Sequence, residues 1–170
     1  MAKSCFLYKN RRIEVYPLIL TLHSLMRWVV VIVGVIAVIK FLIGWLGKKD
    51  WAALDARLAS IFPITIDIQL LLGLLLYFVL SPITTGALRD FGAAMKNSVV
   101  RYYSVEHISM MLIALIVAHI GSIMLKKRTD ATAKFRIGFI FFVLAMIIIF
   151  LAIPWPFLAA GSGRPWLRLG

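Results

Sequence analysis

Three histidines, His23, His107 and His119, are the residues of this sequence with a chemistry to account for. All three lie within long apolar stretches, where a polar side chain is costly and is a functional candidate by default. His107 and His119 share the stretch Ser104–Leu125. In a helix they would stand about 18 Å apart along the axis and about 120° apart around it, so they cannot serve one centre. His23 and His107 match better. Each lies near the same end of its own stretch, and their depths agree to about one turn, about 5 Å. Two imidazoles facing each other across a bundle at equal depth can ligate one haem iron axially, and bundle cores commonly hold such sites. The same pair also reads as two interfacial histidines bonded to their neighbours. Arg27 shares a face with His23 and could pair with a propionate. Gly34 returns to that face about 20° off. Together with Ala114 and Ala118 it would leave room for a flat macrocycle. Met111, one turn beyond His107, is a second possible donor to iron.

A second constellation is Asp67 with His119, both about 9 Å from the opposite edge of the membrane. They could form a charge pair or proton relay, or a plain interhelical hydrogen bond that fixes packing. Arg27 and Lys40 are rival partners for Asp67. Glu106, beside His107, points about 100° away from it. It reads either as a partner of Arg101 or Arg89, or as a proton acceptor beside a redox centre.

The elements that must position these groups are membrane spans. The chain has 170 residues, 62% of them hydrophobic, against about half in soluble domains. Four stretches approach the ~20 residues that cross hydrocarbon: Leu18–Trp45, Ile61–Leu80, Ser104–Leu125 and Ile137–Ile153. The expected fold is an all-α integral membrane four-helix bundle. Its expected parts are a basic N-terminal tail (1–16), the transmembrane domain (17–158) and a C-terminal tail (159–170). The first tail carries Lys3, Lys9, Arg11 and Arg12 but no small-residue cleavage site, so it reads as retained. Pro17 suits the first turn of span one. Gly47–Ser60 reads as a loop, and Pro63 as the start of span two. Asn97 is placed to cap a helix running into span three. Span four lacks ionisable groups and ends at Pro154–Phe157, where two prolines forbid further helix.

The formal charge of +12 flanks the apolar spans, as membrane anchoring requires, and no nucleic-acid motif accompanies it. Lys and Arg are dense in the short loops 46–60 and 126–136, which the positive-inside rule places in the cytoplasm. The single cysteine, Cys5, excludes an intrachain disulfide, a cysteine metal cage and a CxxCH haem attachment. Any haem would be non-covalent.

His23–Trp28 (HSLMRW), Gln69–Pro82 (QLLLGLLLYFVLSP), Val105–Met111 (VEHISMM) and Ala152–Phe157 (AIPWPF) occur in this order. Together they resemble small four-span bacterial membrane proteins, of the Bacteroidetes type, labelled cytochrome b-like. The resemblance covers nearly the whole chain beyond the N-terminal tail. It implies haem b, electron transfer, and ligands at His23 and His107. Where the family pattern often has a histidine in span two, this chain has Asp67, so one haem is implied rather than two. A quinone would need an apolar slot with one or two polar groups, for which Tyr102, Glu106 and Gln69 are candidates. The expected role is a haem-based electron-transfer protein or subunit in a bacterial inner membrane, among lipid and other subunits. One alternative is a cofactor-free structural subunit of a larger membrane complex. Another is a small proton-coupled transporter using Asp67 and His119. The sequence shows no internal repeat to support the transporter.

Overall fold

Four helices are long and apolar enough to cross a membrane: Val15–Leu46, Ala53–Leu80, Ser98–Lys126 and Ala131–Ala152. The computed structural model describes residues 2–163 and 165–166, with side chains from residue 15 onward. The helical segments are α1 (Ala2–Leu46), α2 (Ala53–Leu75), α3 (Pro82–Arg89), α4 (Phe91–Lys96), α5 (Ser98–Arg101), α6 (His107–Lys126) and α7 (Ala131–Ala152). A π-helical turn at Leu76–Leu80 prolongs α2, and another at Tyr102–Glu106 joins α5 to α6. No strand occurs among the described residues. Helix α1 packs on α2 and α7, and α6 packs on the same two. The result is an all-α four-helix bundle in which α1 and α6 face each other diagonally.

The helices outrun the apolar stretches. Spans of 22 to 32 residues are about 33–48 Å long, whereas the hydrocarbon is about 30 Å thick. Their polar ends therefore project beyond it. This corrects two expectations. Helix α1 passes through the tail boundary at residue 16 without a break, and Pro17 lies inside it. The loop expected up to Ser60 ends at Ala53, so Pro63 lies inside α2. The connection Ser81–Tyr103 is mostly helical. The expectation for Asn97 holds: its side chain accepts from the Val99 and Val100 amides, both at 3.1 Å.

An internal proline has no N–H for the carbonyl four residues back. For Pro63 that carbonyl belongs to Ala59. Ser122 of α6 donates its hydroxyl to it at 2.7 Å, with both residues buried. The helix break is thus turned into a tie between α2 and α6, the usual remedy in membrane helices.

The core fills one half of the bundle. Phe41, Phe62, Phe135 and Phe142 are fully buried, with ring centres 4.8 Å apart for Phe62–Phe142 and 5.4 Å for Phe41–Phe142. Glycines let the helices close on these rings. Phe41 occupies the space a Gly138 side chain would need, and Met146 and Phe62 occupy that of Gly34. Gly34 therefore makes room for packing, not for a macrocycle, and Ala114 and Ala118 are likewise fully buried in the core.

At this closed end Lys40 forms an ion pair with the fully buried Asp55 at 3.3 Å. The other oxygen of Asp55 accepts from the Ala52 amide at 2.8 Å and caps α2. Lys40 is thus no partner of Asp67.

Candidate functional site

The opposite half of the bundle encloses a cavity, and its construction begins at the prolines after α7. Pro154 and Pro156 have no N–H to offer the carbonyls of Phe150 and Ala152. The Trp155 indole donates to the first at 2.9 Å. The second accepts from Tyr102 Oη and from His107 Nδ1, each at 2.7 Å. A carbonyl has two lone pairs and only accepts. His107 Nδ1 therefore carries its proton, and the lone pair lies on Nε2. The rings of Tyr102 and Tyr103 flank His107, with centres 6.1 and 6.4 Å away.

His23 is held from α2. Its ring lies over Gly73, where an added Cβ would stand 3.3 Å from His23 Cε1. One turn away, the buried Gln69 points its amide nitrogen at two atoms of residue 23. These are the ring Nε2 at 3.2 Å and the backbone carbonyl at 3.1 Å. An amide nitrogen has two donors, so it can serve both. Helix α1 thereby gains a cross-link to α2 at the level of the histidine.

The two imidazoles meet across the bundle with ring centres 6.4 Å apart and planes at 69°. They border a cavity of about 170 Å³ between α1, α2, α6 and the end of α7, mostly apolar, with Arg27, Gln69, Met111 and Tyr103 among its lining. Three buried polar atoms at this cavity have no partner: His23 Nδ1, Gln69 Oε1 and Arg27 Nε. Buried polar groups are normally satisfied, so such a cluster marks space for something polar. The remaining donors of Arg27 are engaged in part. Its Nη2 donates to the Trp166 carbonyl at 2.7 Å, to which Trp28 also donates. Both π-helical turns adjoin the cavity, as such bulges often do at functional sites. Tyr77, from the first, donates to the Ser104 carbonyl in the second at 2.7 Å.

His23, His107, Arg27 and Met111 thus share one cavity, and Gly34 lies outside it. Of the three polar candidates for a quinone, only Gln69 lines it. Tyr102 Oη is taken by the Ala152 carbonyl, and Glu106 pairs with Arg101 at 2.8 Å. Asp67 and His119 do meet, Oδ1 to Nε2 at 2.9 Å, on the outer surface at a separate level. Two roles escaped the sequence reading. Gln69 was visible as a polar residue within span two, but nothing in the spacing aims it at His23. The Ala152 carbonyl was recoverable from Pro156, since a proline always frees the carbonyl four residues earlier.

Among the described residues, no group of three or more His, Cys, Asp or Glu could hold a bare metal ion. Arg164 and Arg168 lie outside the described residues, as does the side chain of Cys5. Compared with family models, with curated proteins and with solved structures, the chain has no match.

Proposed function

We propose that this protein is a membrane-embedded b-type haem protein that transfers electrons, with the haem non-covalently bound between His23 and His107. The observation that carries the reading is the 6.4 Å between the two ring centres. With metal–imidazole bonds of ~2 Å, one iron between two rings sets their centres roughly 6–6.5 Å apart. The protein's own residues suit that group. The Ala152 carbonyl fixes the His107 tautomer and orients the ring, the usual second-shell support of a ligating histidine. Gln69 already contacts the His23 carbonyl, so releasing Nε2 to a metal leaves its amide bonded. The half-buried Arg27, with Nε unpartnered, can bind a carboxylate. The apolar lining excludes water, and Met111 stands within the same cavity as an alternative donor. Haem would supply one-electron transfer at a potential set by these ligands and their surroundings. The cytochrome b-like resemblance points the same way.

The reading includes a bacterial inner membrane with loops 46–60 and 126–136 in the cytoplasm, following their Lys and Arg. Partner subunits or a quinone would exchange the electrons. The test is the visible spectrum of protein purified from haem-replete cells. A low-spin spectrum is expected in the wild type and in His119→Ala. It should be lost or converted to high spin in His23→Ala and His107→Ala. A folded wild-type protein without a Soret band would overturn the proposal and leave the cofactor-free structural subunit.

A further inference from the structure

Asp67 and His119 lie on the outside of the bundle. Their bond is 2.9 Å long, yet the side chains remain 42% and 40% exposed. Exposed Ile64 and Leu71 bracket the pair on α2, and exposed Ile116 and Ile123 bracket it on α6. An apolar outer face of this kind meets hydrocarbon. His119 lies about 10 Å along α6 from Lys126, counted at 1.5 Å per residue, and so below the interface. Their bond uses one carboxylate oxygen and one ring nitrogen. Asp67 Oδ2 and His119 Nδ1 have no partner among the described residues. Ionisable groups in membrane helices nearly always face protein or water, and lipid tails offer neither donor nor acceptor. As a monomer, the bundle would expose both atoms to hydrocarbon.

The geometry points to a homodimer closed across this face. Donor and acceptor lie side by side on one copy, so the patch is complementary to itself. A two-fold axis through it brings His119 Nδ1–H of each copy to Asp67 Oδ2 of the other, an isologous contact. Each imidazole is then bonded through both nitrogens and each carboxyl group through both oxygens, in a closed ring of four groups. The isoleucines and Leu71 seal the ring from lipid. A second copy is the occupant because it supplies both missing partners at the right depth. This inference does not depend on the haem reading.

The test uses the full chain in lipid nanodiscs and vesicles, on a Cys5→Ser background, with Ile116→Cys for disulfide cross-linking and single-molecule photobleaching to count copies. The wild-type pair should give dimers cross-linked through position 116. Asp67→Leu or His119→Leu should weaken dimerisation at least tenfold. The exchanged double variant, Asp67→His with His119→Asp, should restore it, because the ring is unchanged by the swap, while each single exchange should not. This restoration separates a contact from a folding defect. A wild-type chain that stays monomeric in lipid overturns the inference. So does a dimer that persists undiminished in folded Asp67→Leu, or one that cross-links only through another face.

Discussion

Ser122 provides a quantitative test of how the bundle tolerates a proline in mid-helix. Ser122→Ala removes the hydroxyl that Ala59 accepts from at 2.7 Å and leaves a buried carbonyl facing a methyl group. An unsatisfied buried acceptor costs about 1–3 kcal/mol. Interhelical hydrogen bonds in membranes average about 0.6 and reach about 1.7 kcal/mol. The bond sits in a fully packed region, and Pro63 denies its acceptor any helical alternative, so a cost of roughly 1–2 kcal/mol is expected. In a Pro63→Ala background residue 63 regains an N–H, which lies four residues after Ala59 and takes over its carbonyl. There Ser122→Ala should cost less than about 0.5 kcal/mol, giving a coupling of about 1 kcal/mol. Reversible unfolding in mixed micelles, followed by circular dichroism across the four variants, measures it. An equal loss in both backgrounds would refute the reasoning, because the hydroxyl would then not be standing in for the missing amide.

Three further outcomes are expected. Asp67→Asn should destabilise the folded protein less than Asp67→Leu, since the amide keeps a hydrogen bond to His119; equal melting temperatures would argue against the pair. Lys40→Ala should cost about 3 kcal/mol because it strands a fully buried carboxylate, whereas Asp55→Asn, which keeps the cap on α2 and leaves a partly exposed lysine, should cost only about 1 kcal/mol; comparable unfolding midpoints would contradict this. Reporter fusions at Asp50 and Asp130 should give the same sidedness, and opposite signals would overturn the four-span topology.

What the sequence revealed follows from which interactions have a period. Span number and the common depth of His23 and His107 depend on apolar length and helical rise, the Asn97 cap on that residue's own preference for a helix start, and all reappear in the structure. The meeting of Asp67 with His119 was legible for the same reason, because two depths on adjacent antiparallel helices can be counted. Rotation of one helix against another has no such ruler. Gly34 was placed on the His23 face correctly by angle, but its neighbours Met146 and Phe62 come from α7 and α2, whose rotations no spacing gives. Asp55 was hidden differently. Its segment is polar enough to read as loop, and only the buried partnership with Lys40 makes it part of a helix start. The interior prolines misled because a soluble helix would end there, whereas Ser122 supplies from α6 what Pro63 withholds.

The uneven filling of the bundle has a mechanical consequence. Interlocked phenylalanines, the Lys40–Asp55 pair and the Ser122–Ala59 bond clamp the four rods at one end, while the histidine end is braced by hydrogen bonds from Gln69, Tyr77, Tyr102 and His107. Rods fixed at one end behave as tongs. Phe41 stands about 27 Å along α1 from His23, at 1.5 Å per residue, so a slight splay at the clamp becomes a larger opening at the jaws. A change in aromatic packing at one side of the membrane would thus be felt at the gap between His23 and His107 on the other.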